Sequence, residues 1–208
     1  MTKPIDPGPD GSPHVDRPQA ADVLRWRKAE RIRLLAIRAA LPVDYRAAVT
    51  ERIVHDLEQV IPWEESSIVS AYWPIRAEPD LRPWLRALHA RGRRIALPVA
   101  LAVGEPLEFR EWQPGARLAR GLWNIPYPAD GLRVIPTAIL APVVGFDPEC
   151  YRLGYGGGFF DRTLAALGGS PLVIGVGYPE GAIATIHPLP HDRPMSCILT
   201  GAEPVRRR

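Results

Sequence analysis

The sequence predicts an α/β protein: a three-layer open sheet, mostly parallel, with helices on both faces. Three observations carry that expectation. Short β-like runs alternate with helical periods along most of the chain, the pattern of strand–helix–strand units. Two of the runs, AILAPVVGF (138–146) and LVIGVGY (172–178), are apolar on both alternations, as strands covered on both faces must be. The apolar fraction is 46% of 208 residues, enough to build one core of ordinary size.

The elements follow in order. Residues 1–21 contain Pro4, Pro7, Pro9, Pro13 and Pro18 beside Gly8 and Gly11, with almost no large apolar groups. Such a segment cannot offset its ordering entropy and is expected to be a mobile tail, leaving one domain over 22–205. A helix is expected from Asp22 to Pro42 on a stripe of Leu24, Ile32, Leu35 and Ala39. A second spans about Val43 to Val60, with Val49, Ile53, Val54 and Leu57 inward. Strands are expected at Ser67–Trp73, Arg94–Leu101, Leu107–Trp112, Ala138–Phe146, Leu172–Tyr178 and Cys197–Thr200. Helices are expected at Leu81–Ala90 and Phe159–Leu167, with a glycine loop at 154–158.

Composition narrows the function. The two cysteines, Cys150 and Cys197, form neither a disulfide framework nor a CxxC pair, which suits a reducing compartment. No apolar run reaches the length of a membrane span, and the N-terminus lacks the layout of a secretory signal, so a cytoplasmic monomer is expected. The formal net charge of +3 owes much to the terminal Arg206, Arg207 and Arg208, which argues against a polyanion-binding surface such as nucleic acid requires. His187 and His191 are four apart, but Pro188 and Pro190 forbid the helix that would aim both at zinc.

One segment, Arg152-Leu153-Gly154-Tyr155-Gly156-Gly157-Gly158-Phe159-Phe160-Asp161-Arg162, concentrates chemistry. It follows the most apolar strand and opens a helix. Glycines allow positive φ and close approach of the backbone to a ligand. A helix N-terminus favours phosphate, and ligands of open α/β sheets sit at the carboxyl ends of strands. The segment lacks the GK[ST] of a Walker loop, and Phe159 stands where a GxGxxG fingerprint needs its third glycine. On the residues alone it reads as a phosphate cradle or as a tight structural turn.

RLGYGGGFFDR (152–162) resembles the RLGYGGGYYDR signature of the 5-formyltetrahydrofolate cyclo-ligase family, the 5,10-methenyltetrahydrofolate synthetases. The resemblance extends over about residues 24–201. It includes Arg31, Arg38 and the AALP ending (39–42) of the first helix, AYWP (71–74) followed by Glu78, EWQPG (111–115), GLWNIPYP (121–128), and LPHD (189–192) followed by ILT (198–200). It implies a Rossmann-like sheet and the ATP- and Mg²⁺-dependent conversion of 5-formyltetrahydrofolate to 5,10-methenyltetrahydrofolate with release of ADP and phosphate. Such a transfer needs positioning and charge stabilisation more than a protein nucleophile.

Residue by residue, the resemblance implies that Arg152, Leu153, Gly154, Tyr155, Gly156, Gly157, Gly158, Phe159 and Phe160 wrap the ATP phosphates. Tyr155 to Phe159 would also lie near the folate, with Tyr155 and Arg152 in catalytic roles. Arg31 occupies the arginine of the first-helix ATP motif. Arg27 takes the place of its usual lysine and keeps the charge as a planar fork, with the adjacent Lys28, about 100° round the helix, as the alternative. Trp73 and Glu78 take the folate-contacting positions, with Trp73 equally open to a core role. Asp161 and Asp192 take the magnesium positions.

Departures from the pattern are Phe159 and Phe160 for tyrosines, Cys150 for glycine, Ser196 for aspartate and Gly201 for glutamate. The 175–181 run also lacks a common glutamine. They leave two alternatives: a divergent paralog that binds nucleotide without this activity, and a non-catalytic nucleotide- or RNA-binding module. Three retained acids, Glu78, Asp161 and Asp192, argue against the second, since polyanion binding does not need them.

Overall fold

Pro42 separates the first two helices, α1 (Ala20–Ala40) and α2 (Val43–Val60), in the computed structural model, which describes residues 19–65 and 67–206. A central seven-stranded sheet follows. In chain order its strands are β1 (Ile68–Ser70), β2 (Arg94–Val99), β3 (Glu108–Trp112), β6 (Ala138–Pro142), β9 (Leu172–Val176), β10 (Cys197–Leu199) and β11 (Val205–Arg206). Their spatial order is β11-β10-β9-β6-β1-β2-β3. The five central strands are parallel, and an antiparallel strand closes each edge. Two small hairpins, β4 (Leu118–Arg120) with β5 (Pro126–Pro128) and β7 (Gly145–Phe146) with β8 (Arg152–Leu153), stand outside that sheet.

Helices cover both faces, as expected of the α/β class. Side chains alternate along β6: Ala138 and Leu140 join a cluster under α2 and α3 (Arg82–Ala90), with Ile53, Leu57, Leu85 and Leu88 fully buried. Ile139 and Ala141 join a cluster on the other face, against Phe160 and Leu164 of α4 (Phe159–Ala166). The four-residue spacing of Val49, Ile53 and Leu57 puts all three on one side of α2, each burial worth roughly 1.5–3 kcal/mol.

The direction of winding reverses between β1 and β6. From β1 the chain adds β2 on one side, and β6, β9 and β10 on the other. That reversal falls at the carboxyl ends of β1 and β6, the place where open sheets bind ligands.

The structure departs from the sequence reading in four places. The expected tail falls outside the described residues up to residue 18, while Ala20 and Ala21 already belong to α1. The buried face of α1 is Val23, Arg27, Leu34 and Arg38, whereas Leu24 and Ile32 of the expected stripe are 55% and 63% exposed. Arginines occupy that face because each finds carbonyl or carboxylate acceptors beneath the helix.

The expected Ala138–Phe146 strand divides at Val143 and Val144, and Gly145–Phe146 turns away to pair with Arg152–Leu153. Gly145 permits the detour, since a Cβ there would meet Leu34 Cδ1 at 2.6 Å. Arg152 and Leu153, for which no strand was expected, are therefore buried strand residues. Finally, β1 is shorter than the Ser67–Trp73 run, because from Ala71 the chain leaves the sheet toward Glu78.

Candidate active site

The segment after β1 delivers Glu78 to this end of the sheet. Arg76 and Ala77 both hold positive φ, 47° and 60°, an uncommon conformation for residues with a Cβ. The turn they form puts the Glu78 carboxylate where Oε2 accepts from the Ile75 N–H at 2.8 Å and Oε1 from the Tyr155 hydroxyl at 2.7 Å. Arg38 donates to that hydroxyl at 3.1 Å and stands 3.9 Å from Oε1. Glu78 is 6% exposed. Burial pushes its carboxyl above the ordinary range, although Tyr155, the Ile75 N–H, Arg38 and Arg76 all favour the charged form. Burial and the Glu78 charge likewise push the Tyr155 hydroxyl well up.

The glycine loop leads from β8 into α4 beside this carboxylate. Arg31 reaches it from α1: Nε donates to the Gly154 carbonyl at 2.7 Å, and the guanidinium lies 3.3 Å from where a Cβ on Gly156 would be. Gly156, at φ 94°, thus answers to both the turn and the arginine. Among the described residues Arg31 is in no ion pair. Burial and the Arg27 charge both press its guanidinium below the ordinary value, a tension that a bound anion would relieve.

Opposite the loop, the β4–β5 hairpin ends in a turn whose central residues, Trp123 (φ 54°, ψ 25°) and Asn124 (φ 60°), have type I′ geometry. It is closed by the Ile125 N–H to the Leu122 carbonyl at 3.2 Å. Glycine, asparagine and aspartate are usual there, and a tryptophan is strained. The indole is 63% exposed and meets the Phe159 ring edge-on, centroids 5.2 Å apart.

Two arginine–aspartate pairs fasten the surroundings. Arg27 spends its donors on Asp192 (2.5 and 3.3 Å) and on the carbonyls of Ile186 and His187 (2.9 and 2.8 Å). Arg152 grips Asp161 at 2.9 and 3.1 Å, and the Arg193 N–H adds a third bond to that carboxylate at 3.0 Å. Residues 186–193 are thereby tied to α1 at one end and to the glycine loop at the other. Burial opposes ionisation of Asp192, but the bonds from Arg27 and the Leu189 N–H outweigh it and hold the carboxyl below its ordinary value.

This architecture has known counterparts. The model of the 5-formyltetrahydrofolate cyclo-ligase family matches residues 23–201. The chain belongs to that family. It is 35% identical over 140 residues to the 5-formyltetrahydrofolate cyclo-ligase of Mycolicibacterium smegmatis, covering 64% of this chain and 72% of that one. It is 23% identical over 182 residues to the Haemophilus influenzae cyclo-ligase, covering 84% and 97%. The solution structure of Aquifex aeolicus 5,10-methenyltetrahydrofolate synthetase superposes with a TM-score of 0.75 at 28% identity, covering 88% of this chain and 93% of that one. The Mycoplasma pneumoniae synthetase shares the fold, with a TM-score of 0.69 at 21% identity, covering 84% and 98%. The protein is thus an enzyme of the cyclo-ligase type.

Within the cyclo-ligase fold, the residues singled out from the sequence fall into three groups. Glu78, Tyr155 and Arg31 converge beside Gly154–Phe159. Arg27, Arg152, Asp161 and Asp192 form the surrounding clamp, and the Arg152 guanidinium also lies over the Phe160 ring at 5.5 Å. Lys28 and Trp73 stand apart. Lys28 is exposed, about 100° round the helix from Arg27. Trp73 packs against the core under α2 and α3, with the Arg82 guanidinium over its face at 5.3 Å.

The expected magnesium carboxylates lie in the clamp. Asp161 and Asp192 are each closed by their own guanidinium, and no group of three or more His, Cys, Asp or Glu among the described residues could hold a metal ion. Magnesium in phosphate sites is held by one or two carboxylates together with the substrate phosphates, and these two aspartates are the acids nearest the loop's flanks.

Two residues beside the site, both within stretches that carry the resemblance, were given no site role from the sequence. Trp123 lies in the GLWNIPYP run, where nothing local says that the ring turns toward the loop. Arg38 has a local signal: Arg27, Arg31, Leu34 and Arg38 stand at i, i+4, i+7 and i+11, one continuous helical stripe.

Proposed function

We propose that this cyclo-ligase converts 5-formyltetrahydrofolate to 5,10-methenyltetrahydrofolate while cleaving ATP to ADP and phosphate. The observation that carries the reading is the side-by-side placement of two unlike half-sites at the switch point. An arginine in no ion pair among the described residues faces a glycine loop, which suits a triphosphate. A buried carboxylate with a tyrosine suits the nitrogen-rich ring of a reduced folate.

The residues divide the work accordingly. Arg31 and the loop from Gly154 to Phe160 would hold the phosphates, by charge and by backbone N–H groups at the start of α4. Arg152 contributes positive field from its place beneath the loop while Asp161 fixes its plane. Glu78 has two of about four carboxylate lone-pair directions engaged, leaving the others for N–H donors of the substrate.

In the reaction, the formyl oxygen attacks the γ-phosphorus and the bond to ADP breaks. The second folate nitrogen then adds to the formyl carbon and loses its proton, and phosphate departs with the formyl oxygen. None of these steps requires a protein nucleophile; alignment and charge stabilisation suffice. Magnesium enters with the triphosphate as MgATP, a mode in which the ion keeps much of its water. A cytoplasmic monomer acting on small molecules fits this chemistry, and no helix among the described residues is long and apolar enough to cross a membrane.

The test is direct. Purified protein with MgATP and 5-formyltetrahydrofolate forms a methenyl product seen by its near-ultraviolet absorbance; a folded protein that binds ATP and forms none contradicts the reading.

A further inference from the structure

Arg38 lies at the meeting point of three chain segments, yet nothing in the proposed chemistry requires it to touch a substrate. It is 4% exposed, near the end of α1. One terminal nitrogen donates to the Val143 carbonyl, the group that loses its place in the sheet when the chain leaves β6. The other donates to the Tyr155 hydroxyl at 3.1 Å, and the cation stands 3.9 Å from Glu78 Oε1.

The chain of donors fixes a direction. Tyr155 accepts from Arg38, so its own proton points to Glu78, 2.7 Å away. The ring is also steadied by the Arg76 guanidinium, 5.4 Å from its centroid. Without Arg38 the hydroxyl is free to turn, and a buried carboxylate loses its nearest cation. The planar fork matters here, because an ammonium cannot serve two divergent acceptors in the same way.

We propose that Arg38 is a positioning residue for the reduced-folate half of the site: it holds Tyr155 and Glu78 in the geometry that receives the pteridine ring. It does so from the Val143 carbonyl, and so couples the switch point of the sheet to the glycine loop. This rests on the reading of Glu78 and Tyr155 as folate-binding groups.

The experiment compares wild type, Arg38→Lys, Tyr155→Phe and the double variant, with KM for 5-formyltetrahydrofolate and for ATP measured separately and melting temperature followed in parallel. Arg38→Lys raises the folate KM about tenfold and leaves the ATP KM within about twofold, a split that general loosening of the fold does not produce. In the Tyr155→Phe background the same change adds less than about twofold, because the hydroxyl through which Arg38 acts is gone.

A folded Arg38→Lys protein with an unaltered folate KM overturns the proposal, as does a double variant whose effect is the product of the two single ones. Should Arg38→Lys fail to fold, Tyr155→Phe alone decides: an unaltered folate KM there removes the relay. Absence of methenyl formation by wild type, in contrast, contradicts the proposed function itself. Folate binding to the same variants, measured by calorimetry, then decides for or against Arg38.

Discussion

Arg27 and Asp192, 165 residues apart in sequence, form a buried ion pair that fastens α1 to the loop after β9. Both side chains are under a tenth exposed, and Arg27 also serves two carbonyls. One turn along the same helix, Arg31 donates to the Gly154 carbonyl and is in no ion pair among the described residues. Two arginines on one face therefore do different things: the first holds the frame, and the second is left for a ligand.

That division predicts opposite phenotypes. Arg27→Met breaks a buried pair, costs roughly 3 kcal/mol and lowers the melting temperature by on the order of 10 °C. Arg31→Met leaves the melting temperature within about 2 °C but raises the KM for ATP by about 10- to 100-fold, the loss of a charge-assisted bond to phosphate. Calorimetry and steady-state kinetics on the two variants separate the roles.

Asp192 adds a pH signature to the same pair. Its carboxyl is held below the ordinary value, so the stability it contributes is present above that value and is lost as pH falls through the lower, folded one. The gap in melting temperature between wild type and Asp192→Asn should be full above about pH 5 and shrink in acid below about pH 4. A gap that widens in acid contradicts the assignment.

Glu78 has the opposite sign. Burial raises its carboxyl, so the folded state favours the protonated form, and the relative stability this gives disappears as pH rises through the raised value. Glu78→Gln is expected to melt at or above the wild-type temperature, with its advantage growing as pH rises above the ordinary glutamate range and levelling off above the raised value, while kcat/KM falls about 100-fold. Function then accounts for keeping a destabilising group in the site.

Trp123 stores strain of a different kind. Trp123→Gly suits the type I′ turn, and relief of about 1–3 kcal/mol of backbone strain outweighs or balances the lost contact with Phe159. The variant should melt no lower than wild type, while the KM for the folate rises about fivefold as an exposed ring at the loop's mouth is removed. A lower melting temperature with unchanged kinetics would make the tryptophan a structural residue only.

Most of the sheet was legible because two-sided apolar runs such as 172–178 admit few alternatives to a buried strand. The glycine loop at 154–158 was legible from its composition and its place between a strand and a helix. The face of α1 was misjudged for a physical reason: apolar periodicity assigns arginines to solvent, whereas Arg27 and Arg38 find acceptors 105 to 165 residues away, which no local pattern reveals. The break at Val143 and the switch point depend on strand order and the close approach of Leu34 to Gly145, both tertiary facts. The clamping of Asp161 and Asp192 by arginines was hidden likewise, since charge at a position does not say which partner satisfies it.

The coupling of the two half-sites is tested most directly by counting products: ADP released against methenyltetrahydrofolate formed, with and without the folate. The proposed function predicts one ADP per methenyl group and no ADP above background when the folate is left out. ADP formation that is indifferent to the folate, or ring closure without ATP, would contradict it.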